Sequence, residues 1–85
     1  MPVSPALPEL HASIVAALTE ARHDAKLRQV DLARRLGWQQ AYVSRYETGE
    51  RMLAIDEYVA VAHAIGIDPV ALLARILVHE GNGPK

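Results

Sequence analysis

Residues 29–49 read QVDLARRLGWQQAYVSRYETG, and the placing of apolar residues within this stretch decides the fold. Leu32, Ala33 and Leu36 recur at the spacing of three and four that keeps side chains on one helix face. Gly37 follows, in the position just past a helix end where glycine is favoured. A short helix over about 29–36 is therefore predicted. Val43 and Tyr46 mark the inner side of another, about 40–48, which Gly49 stops. Only Gly37, Trp38 and Gln39 lie between the two. So short a turn does not allow antiparallel packing, and the two helices must cross steeply. Ala33, four residues before Gly37, is small enough for a close approach, and Trp38 is the apolar plug in the turn.

The same reading extends outward. Leu10, Ile14, Ala17, Leu18 and Ala21 predict an amphipathic first helix from about 9 to 25. Ile55, Val59, Ala62 and Ile65 predict a fourth over about 54–65, ended by Gly66. Asp68 can cap a helix, and Pro69 fits its first position, where a missing N–H matters least. The fifth helix then runs to about His79, with Leu72, Leu73, Ile76 and Leu77 apolar. Pro2, Pro5 and Pro8 suggest a flexible arm over residues 1–8, and Gly81, Asn82, Gly83 and Pro84 a flexible tail over 81–85. The expectation is one all-α domain of five helices over residues 9–80.

Composition bounds the chemistry. In 85 residues with 51% hydrophobic content there is material for one small core, aliphatic because the chain has no Phe and one Trp. With no Cys, disulfides and thiolate chemistry are excluded. The N-terminus has neither a basic stretch nor a long apolar one, and no apolar run is long enough to span a membrane, so a cytoplasmic protein is expected. His11 and His23 near opposite ends of the first helix, His63 and His79 are surface or edge residues without metal-ligand spacing, and Ser13 and Ser44 lie in no glycine elbow. No enzyme activity, metal, cofactor or small-molecule ligand is expected. The net charge of −1 hides a gradient. Between Arg22 and Arg51 seven Lys or Arg face four acids, a local balance of +3, against −4 for the remainder. Clustering of this kind is the footprint of a face that meets an anion.

Helices two and three with their tight turn make a helix-turn-helix, which presents its second helix to the DNA major groove. The stretch from Gln29 to Gly49, with Gln29, Ala33, Gly37, Ser44, Glu47 and Gly49 in register, resembles the Cro and lambda-repressor (XRE) family of bacterial and phage DNA-binding proteins. The resemblance extends over roughly residues 10–77, taking in Ile55 to Ala62 and Gly66 to Leu73. It implies a compact lambda-repressor-like domain that binds double-stranded DNA. Helical geometry agrees, because positions 40, 41, 44, 45 and 48 share one face and carry Gln, Ala, Ser, Arg and Thr, with no acid among them.

Within that resemblance, base contacts are expected from Gln40, Ala41, Ser44 and Arg45. Gln pairs with adenine, Arg with guanine, and Ala meets a thymine methyl. Phosphate contacts are expected from Gln29, at a helix start with free N–H groups, and from Arg28, Tyr42 and Arg51, with Ser44 also placed to reach one. Arg28 stands where the family has a Ser or Thr cap, a departure that weakens the helix start by about 1 kcal/mol. Met52 and Ala54 likewise depart from the polar and capping residues expected before helix four.

A half-buried Glu47 requires a partner, and the resemblance implies that Arg22 supplies it as a structural ion pair. Asp31 and Arg35 are expected to form an exposed i, i+4 pair of small effect. One helix in one groove reads few base pairs, so a homodimer is expected, joined through Leu73, Ile76, Leu77 and Val78. The expected protein is a dimeric transcriptional repressor reading a near-palindromic operator. The alternative is an antitoxin-type or other protein-binding module with the same fold and a protein partner such as a toxin.

Overall fold

A computed structural model describes residues 7–81, with side chains described over 9–78. It contains α1 (Leu7–Asp24), α2 (Gln29–Leu36), α3 (Gln40–Glu47), α4 (Ile55–Ile65) and α5 (Pro69–Gly81), and no strand among the described residues. The helices fall close to their expected places, with differences at the two ends. Helix α1 starts at Leu7, so Pro8 lies in its first turn rather than in an arm. The first turn tolerates proline because its N–H has no intrahelical acceptor there. Helix α5 runs to Gly81, two residues past His79. The remainder of the expected arm and tail, residues 1–6 and 82–85, and the side chain of His79 lie outside the described residues.

Each of the first four helices ends in the same hydrogen-bond pattern. After α2, Trp38 N–H donates to the Ala33 carbonyl (2.9 Å) and Gly37 N–H to the Arg34 carbonyl (3.3 Å). Equivalent pairs close α1 through Lys26 and Leu27, α3 through Gly49 and Glu50, and α4 through Gly66 and Ile67. The pivot residue sits in the left-handed region each time, at φ 73° for Gly37. At α1 the pivot is Lys26, with φ 62°, the one non-glycine with positive φ among the described residues. The following residue is apolar and packs on the core at three of the four corners, as Leu27, Trp38 and Ile67. These corners turn the chain while burying its apolar side chains.

Helix starts use a different device. Asp68 Oδ1 accepts the N–H of Val70 (2.9 Å) and of Ala71 (3.3 Å), an N-cap on α5. Neither Arg28 nor Ala54 has an accepting side chain for this purpose. Instead Asp31 accepts the Arg28 N–H and Glu57 the Ala54 N–H, each at 2.9 Å, which is the returning half of a capping box.

The core gathers Leu18 from α1, Leu32 and Ala33 from α2, Val43 and Tyr46 from α3, Val61 and Ala62 from α4, and Leu72 and Ile76 from α5. Burial pushes the Tyr46 phenol above its ordinary pKa. Polar bonds tie the periphery. The Arg35 guanidinium donates to the Ala64 carbonyl (2.8 Å) in the last turn of α4, so it does not form the expected pair with Asp31. Asp31 turns to Arg28 (2.9 Å) and Arg34 (3.6 Å). The Arg28 backbone N–H draws the carboxylate toward the helix start, away from position 35. His11 is half-buried, and its Nε2 accepts the Leu53 N–H (3.0 Å). No single helix among the described residues is long and apolar enough to cross a membrane.

Candidate nucleic-acid interface

Helix α3 presents two unlike faces. Val43 and Tyr46 are fully buried, while Gln40, Ala41, Arg45 and Thr48 are exposed and Ser44 is half-buried. What fixes the outward face begins inside the domain. Arg22 of α1 is 6% exposed and meets Glu47 side by side, Nε to Oε2 at 2.8 Å and Nη2 to Oε1 at 2.9 Å. Its Nη1 donates to the Leu27 carbonyl (2.7 Å), tying the same guanidinium to the α1–α2 corner. A buried ion pair of this kind requires such full hydrogen bonding to survive desolvation.

From Glu47 the bonding runs outward. A carboxylate only accepts, so Gln29 turns its Nε2 to Glu47 Oε1 (2.9 Å). That leaves the Gln29 carbonyl oxygen to accept Nε2 of Gln40 (2.7 Å). The charge on Glu47 thus orients both amides. Gln40 is left with its carbonyl oxygen and one amide hydrogen facing outward. Gln29 retains one amide hydrogen beside the N–H groups that open α2.

The flank carries a second cluster. Trp38 meets the Tyr42 ring edge-on, with centroids 4.6 Å apart, and the Arg51 guanidinium stacks 4.1 Å from the centroid of Tyr42. Glu57 of α4 closes the group. It receives Arg51 Nη1 and Nη2 at 3.0 Å each and the Tyr42 hydroxyl at 2.5 Å. These donors, Arg51 first, hold its carboxyl down at about 2. The same bonds raise the Arg51 and Tyr42 pKa values.

This arrangement changes the reading of the phosphate contacts. Tyr42 has a single hydroxyl hydrogen and gives it to Glu57, so it has no donor left for a phosphate. Arg51 commits its end-on edge to Glu57 and a further Nη1 hydrogen to the Met52 carbonyl (2.7 Å). Arg28 binds Asp31 through Nε and Nη2, at 2.9 Å each. Arg45 is different. Among the described residues it is the one arginine between Arg22 and Arg51 without an acid or carbonyl on its guanidinium. Sequence reading missed Glu57. Its only local signal was a carboxylate three residues after the uncapped Ala54.

Of the residues expected at a dimer seam, Ile76 belongs to the core at 7% exposure. Leu73 and Leu77 line an open apolar groove of about 340 Å³ between α4 and α5, with Ile55, Val59 and Val70. Val78 is exposed and lines a separate hollow with Glu20 and Arg75. No group of His, Cys, Asp or Glu among the described residues is placed to hold a metal ion.

The helix-turn-helix domain family matches residues 13–76. A solved structure, an XRE-family like protein from Pseudomonas syringae pv. tomato str. DC3000, superposes with a TM-score of 0.80 at 37% identity, covering 89% of each chain. No curated protein gives a significant match. With α2 and α3 crossing at a glycine corner and the outer face of α3 free, the chain belongs to the XRE-type helix-turn-helix family of DNA-binding regulators.

Proposed function

We propose that this protein is a sequence-specific, double-stranded DNA-binding transcriptional repressor. In this reading it acts as a homodimer on a near-palindromic operator, with α3 of each copy in the major groove. The observation that carries the reading is the relay from Arg22 through Glu47 and Gln29 to Gln40. It leaves Gln40 with one donor and one acceptor outward, the pair that adenine N7 and N6 require. Arg45 reaches guanine, Ala41 a thymine methyl, and Ser44 a neighbouring base edge. Gln29 and the first N–H groups of α2 hold a phosphate and set the register. The dimer seam is the α4–α5 groove, with Ile55, Val70, Leu73 and Leu77 meeting their copies.

Selection from a random duplex pool, with Arg45→Glu run alongside, tests this. The expected result is an enriched near-palindrome with half-sites about ten base pairs apart, lost in the variant. No retention of any duplex at low salt overturns the reading. One observation favours a second reading, a protein-binding module of antitoxin type: the uncovered apolar groove on α4 and α5. In that case Arg45→Glu leaves partner binding unchanged.

A further inference from the structure

We propose that Glu57 is a specificity-determining residue, withholding Arg51 and Tyr42 from DNA phosphates so that contacts from α3 decide where the protein settles. The inference rests on the DNA-binding function proposed above.

Binding to DNA of any sequence is driven by cations that neutralise phosphates and release counterions. Arg51 lies in the loop that follows α3 and would add one such contact. Glu57 instead takes both terminal nitrogens of its guanidinium, Met52 takes another hydrogen, and the Tyr42 ring covers one face. The edge left over, Nε and one Nη2 hydrogen, belongs to a pair with no net charge. Asp56, exposed beside Glu57 and accepting its N–H (2.9 Å), adds a further negative charge at the same place. Because Glu57 stays ionised down to about pH 2, the restraint holds at every physiological pH.

At the start of α2, Asp31 likewise occupies Arg28 and lies 3.6 Å from Arg34. Arg28 before α3 in the chain and Arg51 after it are thus each held by an acid, while Arg45 within the helix is free to bond. The design suits a protein of net charge −1. It keeps the sequence-independent part of binding small relative to the part that base edges supply.

The test measures affinity for a random-sequence duplex and for the selected operator between about 50 and 200 mM salt, using the wild type, Glu57→Gln and Glu57→Met. Thermal melting of each variant checks that it is folded. For the random duplex, the log–log salt slope should steepen by about 0.9, the share of one phosphate. The advantage of either variant over wild type then grows about 3.5-fold from the higher salt to the lower. The ratio of operator to random affinity should fall. Adding Arg51→Met to either variant should remove the gain.

If the wild type binds DNA and both variants keep its slope or flatten it, the inference is overturned and the proposed function stands. If the wild type retains no duplex at the lowest salt, the proposed function fails and takes the inference with it.

Discussion

At the scale of single residues, the buried Arg22–Glu47 pair and the half-exposed Glu57 make contrasting predictions. Arg22→Met leaves Glu47 in the interior without its cation, so a loss of about 3–5 kcal/mol is expected in urea unfolding. Arg22→Met combined with Glu47→Leu should lose less than Arg22→Met alone, because no unpaired charge remains. Losses that simply add would contradict a coupled pair. Glu57 makes its prediction through pH. Its folded pKa of about 2 lies below the ordinary 4.5, so it contributes stability that is fully present above 4.5. That contribution declines as pH falls from there toward 2. The wild type should therefore lose more Tm than Glu57→Gln across this window, and the two should run parallel above pH 5. Equal slopes in acid would show that Glu57 gains nothing from Arg51 and Tyr42.

At the scale of helices, corners and caps carry the argument. Lys26 occupies the left-handed pivot that glycine fills after α2, α3 and α4. Lys26→Gly should relieve about 1 kcal/mol of backbone strain, partly offset by the freedom glycine adds to the unfolded chain, for a net gain of a few tenths or more. A lower Tm for this variant would contradict that account. Asp68→Ala removes the acceptor for Val70 and Ala71 and should lose about 1 kcal/mol in the same measurement. What the sequence disclosed follows the same division. Gly37, Gly49, Gly66 and the Asp68–Pro69 pair are local signals, and they placed the ends of α2 to α4 and the start of α5 to within a residue. Lys26 gave no such signal, because nothing in its chemistry announces a left-handed backbone. Spacing alone pairs Arg35 with Asp31, while its bond to Ala64 arises only once α2 lies on α4. The Glu57 cluster was hidden for the same reason. Tyr42 and Arg51 reach it across 15 and 6 residues, and helical periodicity carries no information about such meetings.

At the scale of the whole molecule, the apolar groove between α4 and α5 should join two copies. Ile55 and Val70 are 71% and 75% exposed at its rim, so a charge there need not disturb the core. Val70→Glu is expected to shift the protein from dimer to monomer in sedimentation equilibrium with its Tm unchanged at low concentration. Its affinity for a palindromic operator should fall further than that for one half-site. A monomeric wild type at tens of micromolar would remove the seam. The path from Arg22 to Gln40 has a thermodynamic meaning as well. A glutamine waving in solvent surrenders about 0.5–1.5 kcal/mol of rotamer entropy when a partner immobilises it. Gln40 has already given up much of that freedom on folding, through Gln29 and Glu47. If Gln40 reads a base as proposed, recognition is preorganised by the interior, and the same linkage makes it fragile. Warming that loosens the α1–α3 contact should blur base preference before any helix melts.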